Sequence, residues 1–238
     1  MVERKRERES IDIIITSPPY NLKNKGGDYL INSYKDNVPN DEYEAKQIEF
    51  LNECWRVLKP TGAMFYNHKN RYEKNRVITP YKWVLASKLN INQVIIWNRK
   101  TTVDYNNGKF APLDELIFWL YKDKTFKLKT GATNFTNIWD INRTNRNENM
   151  GHKATFPYQL IYRILNSLNT DYQDKVILDP YCGTGTALQA AKAFNFKKGI
   201  GIDISQEWLK KANLKINIVK DYQETLPEVK HKYKEKYY

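Results

Sequence analysis

The chain has 238 residues, 41% of them hydrophobic and 13% aromatic, and its 39 basic and 27 acidic residues give a net charge of +12. This composition excludes a disordered chain, and no apolar run approaches the roughly 20 residues that a membrane span requires. The two cysteines are too few for a disulfide scaffold and predict a reducing cytoplasmic compartment, while the basic balance favours a polyanion such as nucleic acid.

Apolar segments of strand length alternate with helix-length segments along the chain, which is typical of an α/β fold. In the first half the pattern predicts strands at 10–16, 62–68, 92–98 and 114–122 and helices at 41–59 and 79–90. Pro60 and Gly62 are expected to end the first of these helices. In the second half it predicts strands at 175–182 and 197–205 and helices at 158–168, 186–194 and 206–216.

Three polar segments interrupt this alternation. Residues 22–42 carry glycine and are long for a connection, so we expect a functional loop there. Residues 123–151 are rich in Lys, Asn, Thr and Arg and separate the two apolar halves. The residues after Leu226 form a basic tail.

The first predicted strand ends in the sequence SPPY, Ser17 to Tyr20. Proline has no backbone N–H, so two consecutive prolines leave a stretch of main chain that offers only carbonyl acceptors. Such a stretch suits a ligand group that can only donate hydrogen bonds. The alternative is a rigid loop start after a strand, without a functional role.

The segment VILDPYCGTGTALQAAKAF predicts a strand, a glycine turn and a helix. Gly183 and Gly185 would let the backbone approach a ligand closely, unless they only form a tight turn. Leu188 occupies the third glycine position of a dinucleotide motif, which weakens that interpretation. Asp203 follows the next strand and either accepts hydrogen bonds from ribose hydroxyls or caps the helix that starts near Gln206. Together these features predict an adenosine-containing ligand.

The sequences TSPPYN, VILDPYCGTG, GIGIDIS and HKATFPYQL resemble the motifs of the β-class DNA amino-methyltransferases of bacterial restriction–modification systems. The resemblance covers the chain from about Ser10 to Leu214. It implies a Rossmann-like, S-adenosylmethionine-dependent methyltransferase sheet in circularly permuted order, within one compact domain. The expected parts are a catalytic half at 1–122, a target-recognition insert at 123–151, a cofactor-binding half at 152–226 and a basic tail at 227–238.

The resemblance also implies a reaction and its catalytic residues, which are Ser17, Pro18, Pro19 and Tyr20. A methyl group passes from S-adenosyl-L-methionine to the exocyclic amino group of a base flipped out of double-stranded DNA. The Ser17 side chain and the Pro18 carbonyl accept the amino hydrogens, and Tyr20 stacks on the base. Serine at the first motif position favours cytosine-N4 as the acceptor, with adenine-N6 as the alternative.

By the same resemblance, seven residues are expected to hold the cofactor: Asp179, Cys182, Gly183, Gly185, Asp203, Thr155 and Phe156. Phe156 could equally belong to the core. His152 matches a motif position, but Lys153 follows it where a proline is frequent in the family. We assign no metal, because no Cys/His cluster has ligand spacing.

The insert is expected to contact DNA through Lys127, Lys129, Arg143 and Arg146. Arginine suits guanine edges in the major groove, although most such residues only hold phosphates. The resemblance leaves a second copy of the chain and a cognate restriction endonuclease as further candidate partners. It places the protein in the bacterial cytoplasm, associated with the nucleoid.

Two other functions compete with this interpretation. Only about ten charged residues precede the first motif strand, where relatives carry a strand and a helix, so a shortened, non-catalytic DNA-binding relative is the second hypothesis. An NAD-linked oxidoreductase is the third, opposed by Leu188 and by the prolines of SPPY.

Overall fold

A computed structural model describes residues 8–22, 36–102, 104–105, 108–144, 155–217, 224 and 226. Its strands are β1 (Ile11–Thr16), β2 (Leu58–His68), β3 (Arg71–Glu73), β4 (Arg76–Ile78), β5 (Asn90–Asn98), β6 (Asp114–Tyr121), β7 (Ile138–Asp140), β8 (Val176–Asp179) and β9 (Lys198–Gly201). Its α-helices are α1 (Asn40–Val57), α2 (Tyr81–Leu85), α3 (Tyr158–Ser167), α4 (Thr186–Ala193) and α5 (Gln206–Ile216). Within the described ranges, none of these helices combines the length and hydrophobicity needed to cross a membrane.

Seven of the strands form one sheet in the order β7-β5-β6-β2-β1-β8-β9, and β3 and β4 form a separate hairpin. β1 is an inner strand of the sheet and pairs in parallel with β2 and β8, while β6 runs antiparallel to β2 and β5. The mixed sheet with helices between its strands confirms the predicted α/β class.

Both faces of the sheet are covered, which explains why β1 is a continuous apolar run. All six residues of β1 are buried. Ile13 and Ile15 pack with residues of α3 and α4, whereas Ile11 and Ile14 pack with residues of α1 and α2. β1 is therefore packed on both of its faces, and this packing fixes where the following loop begins.

The first helix ends earlier than predicted, and the following strand starts without a break. β2 begins at Leu58 and runs through Pro60 and Gly62, so the prediction that these residues separate helix from strand was wrong. A bulge in the pairing with β1 accommodates them, because Ile11 pairs with Leu58 but Ile13 pairs with Ala63. The second predicted helix, at 79–90, is shorter in the structure, where α2 contains only the five residues Tyr81–Leu85.

The strand β7 lies inside the segment predicted as a target-recognition insert. It pairs in parallel with β5 and extends the central sheet. Trp139 and Ile141 are buried in the same core cluster as Ile13, and the Trp97 indole donates to the Ile141 carbonyl at 2.7 Å. This part of the segment consequently belongs to the main sheet, although its polar composition pointed to a surface insert.

Candidate active site

The parallel strands β1, β8 and β9 end at the same edge of the sheet, and the loops that follow them meet there. They line a cavity of about 490 Å³, within the roughly 300–1,000 Å³ typical of small-molecule and cofactor sites. Ten of the predicted catalytic and cofactor-binding residues line it: Ser17, Pro18, Pro19, Tyr20, Thr155, Phe156, Asp179, Cys182, Gly183 and Asp203. The fold thus joins segments that are more than 160 residues apart in the sequence.

The Asp203 carboxylate holds two of these loops together. One of its oxygens accepts from the Gly183 N–H at 2.9 Å, and the other accepts from the Ser205 N–H at 2.8 Å. Gly183 has a φ of +47°, which a residue with a side chain rarely adopts. The N-cap of α5 is Ser205, whose hydroxyl accepts from the Trp208 N–H, so the alternative that Asp203 caps this helix was wrong.

Gly185 has a packing role that the sequence did not predict, and it is not among the residues that line the cavity. A Cβ at this position would lie 2.9 Å from the Cβ of Ala212 on α5, and the φ of Gly185 is +77°. The absent side chain lets α4 and α5 approach each other, so Gly185 has a packing role in the fold.

Gly185→Ala is therefore expected to lower the free energy of unfolding by about 1–3 kcal/mol, through overpacking and left-handed backbone strain. Denaturant titration measures this loss. Gly199→Ala is the matched control, because its Cβ would meet a flexible Leu188 methyl group at 3.3 Å and its φ is not positive. Equal losses in the two variants would contradict the packing role.

Asp179, at the end of β8, lies at the floor of the cavity and is only 2% exposed. Burial, together with the nearby charge of Asp203, raises the pKa of Asp179 to about 7. Its Oδ1 accepts from the Tyr181 N–H at 3.1 Å. A carboxyl group in this state is poised to ionise when a cation arrives beside it.

A chain of hydrogen bonds connects Ser17 to the interior of the protein. The Ser17 Oγ lies 2.7 Å from the Tyr20 Oη, and the Tyr20 hydroxyl donates to Glu115 Oε2 at 3.0 Å. Asn67 donates to the same carboxylate oxygen at 2.7 Å, and Arg99 forms an ion pair with the other oxygen at 3.1 Å. Glu115, Asn67 and Arg99 were missed in the sequence, because they lie on β6, β2 and the end of β5 and no local motif marks them.

A second chain fixes the carbonyl of Pro19. Tyr43 donates to this carbonyl at 2.6 Å, and the Tyr43 hydroxyl lies 2.7 Å from His68 Nε2. Burial lowers the pKa of His68 to about 3, so the ring is neutral. Its Nε2–H donates to Tyr43 and its Nδ1 accepts from the Lys69 N–H at 2.9 Å. Among the described residues the Pro18 carbonyl has no hydrogen-bond partner, so of the two proline carbonyls it is the one free to accept from a ligand.

Apolar side chains form the wall around Asp203, and sequence reasoning missed them. Phe50, Tyr181, Ile204 and Trp208 line the cavity, and the rings of Phe50 and Tyr181 meet edge to face at 5.1 Å. Ile204 is 66% exposed, so its side chain is accessible to a ligand in the cavity. This wall suits the flat, apolar faces of a purine ring.

The predicted DNA-contacting residues separate into two groups. Lys127 and Lys129 follow the C-terminal end of β6, which pairs with the beginning of β2, so they lie at the sheet edge opposite the cavity. The structure does not bring these two lysines to the site. Arg143 follows β7 at the cavity edge and lies near Lys69. Burial lowers the pKa of Lys69, and the positive charge of Arg143 adds to this shift. Arg146 and His152 lie outside the described residues.

Comparisons with known proteins identify a family and several relatives of the chain. The family described as DNA methylase, N6_N4_Mtase, matches residues 11–214. The type II methyltransferase M.HpaI of Haemophilus parainfluenzae is 28% identical over 89% of the chain, which spans 69% of that protein. M.BglII of Bacillus subtilis is also 28% identical over 84% of the chain, which spans only 62% of its length. The DNA adenine methyltransferase YhdJ of Escherichia coli K12 is 27% identical over 95% of the chain and 83% of that protein.

Solved structures show the same fold. The cytosine-N4-specific PvuII DNA methyltransferase superposes with a TM-score of 0.69 and 18% identity, covering 91% of this chain and 83% of that chain. The M1.HpyAVI–SAM complex superposes with a TM-score of 0.61 and 17% identity, covering 88% and 90%. The central sheet is therefore the Rossmann-like sheet of these methyltransferases. With the family match over most of its length, the chain belongs to the β-class DNA amino-methyltransferases.

Proposed function

We propose that the protein transfers a methyl group from S-adenosylmethionine to the N4 amino group of a cytosine flipped out of double-stranded DNA. One observation carries this proposal: Ser17 and Pro18 line the same cavity as Gly183 and Asp203. An amino donor and an adenosine-containing cofactor would therefore meet in one space. The mechanism rests on these two groups of residues.

The residues of the cavity fit S-adenosylmethionine. Asp203 would accept from the ribose hydroxyls with the lone pairs left over from its two backbone bonds. The apolar wall with Trp208 and Ile204 would cover the adenine. Asp179 would lie beside the positively charged methionine portion, with Thr155 and Phe156 on its other side. When bound, this cofactor supplies a methyl group activated by a sulfonium.

The catalytic half would prepare the amino nitrogen of the base. An exocyclic amino group is a poor nucleophile because its lone pair is delocalised into the ring. The Ser17 hydroxyl oxygen and the Pro18 carbonyl accept its two hydrogens, which favours a pyramidal nitrogen with an available lone pair. Holding this nitrogen in position contributes much of the acceleration. Ser17 does not act as a base, because no histidine among the described residues bonds to its hydroxyl.

Tyr20 and Lys69 would receive the flipped base and its backbone. Tyr20 lines the cavity, where its ring would stack on the base, and it packs against His68 with ring centroids 4.5 Å apart. The Lys69 ammonium lies 5.9 Å from the centre of the same ring. With Arg143 at this edge, it would hold the phosphates next to the target nucleotide.

The experiment that tests this function is incubation of unmethylated genomic DNA with the protein and methyl-labelled S-adenosylmethionine. Label in the DNA, absent with heat-inactivated protein, is the expected result. DNA binding without incorporation of label would instead support the non-catalytic relative. The names of M.HpaI and M.BglII as type II methyltransferases support a role in a restriction–modification system with a cognate endonuclease.

The raised pKa of Asp179 predicts that cofactor binding depends on pH. Below about pH 7 the free protein carries a protonated Asp179, so binding of a cationic ligand must release that proton. The affinity for S-adenosylmethionine is then expected to fall up to about tenfold per pH unit below 7 and to level off above it. Calorimetry across this range measures the effect. Asp179→Asn should bind more weakly and lose the pH dependence, whereas a pH-independent affinity of the wild type would contradict the assignment.

A further inference from the structure

We infer that Glu115 is a positioning residue that fixes the Ser17 hydroxyl as a hydrogen-bond acceptor toward the substrate. This inference rests on the proposed function and adds a requirement to it. Ser17 can accept a hydrogen from an amino group only if its own hydrogen points elsewhere. A freely rotating hydroxyl would spend part of its time with that hydrogen directed at the amino group.

The direction of each hydrogen bond follows from the groups involved. A carboxylate cannot donate, and both Glu115 oxygens are occupied as acceptors, one by Arg99 and the other by Tyr20 and Asn67. The single hydrogen of the Tyr20 hydroxyl therefore goes to Glu115. Burial, reinforced by the charge of Glu115, raises the pKa of Tyr20 well above its ordinary value, so this hydrogen stays in place.

The Tyr20 oxygen is then left as an acceptor, and the Ser17 hydroxyl at 2.7 Å must be the donor to it. Asn67 donates to the same oxygen, and its amide orientation is fixed because its nitrogen must face the Glu115 carboxylate. With its hydrogen committed to Tyr20, Ser17 presents only lone pairs to the cavity. The order of donors and acceptors that starts at Arg99 and Glu115 thus fixes the direction of the Ser17 hydroxyl hydrogen.

The ion pair between Glu115 and Arg99 is buried, which costs free energy of desolvation. The Glu115 side chain is 10% exposed and that of Arg99 is 7% exposed, and burying two charges is costly unless their hydrogen bonds are complete. Here they are nearly complete: Arg99 also donates to the carbonyls of Pro112 and Leu113. Glu115 is not among the residues that line the cavity, and its hydrogen bonds connect it to the cavity through Tyr20 and Ser17.

Glu115→Gln tests the inference, because it keeps the shape and removes the charge. Arg99 would bind the amide oxygen of the new side chain, so the amide NH₂ would face the Tyr20 hydroxyl. Two hydrogen-bond donors would then point at each other. The Tyr20 hydrogen would turn toward Ser17, and the Ser17 hydrogen would turn into the cavity. We expect kcat for methyl transfer to genomic DNA to fall about tenfold or more, with the dissociation constant for S-adenosylmethionine changed less than about twofold.

A double-mutant cycle with Ser17→Ala distinguishes positioning from general structural support. If Glu115 acts through Ser17, Glu115→Gln should cause no further loss in the Ser17→Ala background. The same proportional loss in both backgrounds would overturn the inference, as would an unchanged kcat in Glu115→Gln alone. Tyr20→Phe removes the link between the two residues and carries the same cycle if Glu115→Gln does not fold.

Glu224→Gln is the matched control for loss of a buried ion pair. Its side chain is 13% exposed and pairs with Arg163, a residue of α3 away from Ser17, so kcat should stay near the wild-type value. The activity of the wild type shows whether a negative result concerns this inference or the proposed function. If the wild type incorporates no label, the proposed function fails; if the wild type is active and Glu115→Gln equals it, only the role of Glu115 fails.

Discussion

Ser17→Ala is expected to lower kcat for methyl transfer about 100-fold, the order found when one group that stabilises a transition state is removed. The affinity for S-adenosylmethionine should change less than about twofold, because the variant leaves Asp179, Asp203 and the glycine turn untouched. The physical reason is the loss of a lone pair that accepts an amino hydrogen, leaving Pro18 as the single acceptor. Single-turnover transfer of label to DNA measures the rate, and calorimetry measures the affinity.

Ser87→Ala provides the control for this variant. Its hydroxyl donates to the Val84 carbonyl and accepts from the Leu89 N–H, far from the cavity in the fold, so turnover should be unaffected. Equal losses of cofactor affinity and of turnover in Ser17→Ala would remove Ser17 from the chemistry. A turnover equal to that of the wild type would do the same.

The second large effect is expected for Asp203→Ala, which should weaken binding of S-adenosylmethionine about 10- to 100-fold. Hydrogen bonds to a charged group contribute about 1.5–3 kcal/mol, and Asp203 would make such bonds to the ribose hydroxyls. The variant also frees the N–H groups of Gly183 and Ser205, so part of the loss would come from a looser turn. A ligand comparison separates these two contributions.

The comparison uses S-adenosylhomocysteine and an analogue that lacks both ribose hydroxyls. The wild type should prefer the natural ribose, and Asp203→Ala should bind the two ligands with nearly the same affinity. If the preference persists in the variant, the ribose contact is not made by Asp203. If affinity for the natural ligand is unchanged, Asp203 has no role in binding at all.

The parts of the fold that local sequence determines could be predicted. β1 and β8 are short apolar strands at SPPY and DPYCG, and β9 is a short strand before DIS. The end of each strand fixes where the following loop begins. The resemblance of their motifs to the family predicted that Ser17, Asp179 and Asp203 serve one reaction. The structure places them in one cavity because the parallel strands that precede them end at a common edge.

The parts that depend on distant pairing could not be predicted. Glu115 comes next to Asn67 because β6 runs antiparallel to β2, and Tyr20 reaches Glu115 across 95 residues of sequence. β7 is three residues long in a polar segment, and only its pairing with β5 makes it a strand. The packing role of Gly185 could not be predicted either, because it depends on how α5 places Ala212 next to this glycine.

Mass spectrometry of the nucleosides from DNA methylated by the wild type identifies the atom that receives the methyl group. We expect N4-methylcytosine, because Ser17 and Pro18 accept hydrogens from an amino group and serine opens the motif. N6-methyladenine would keep this chemistry but contradict the cytosine assignment. Methylation at a ring carbon, as in 5-methylcytosine, or no methylated nucleoside at all, would contradict the claim that this cavity activates an exocyclic amino nitrogen.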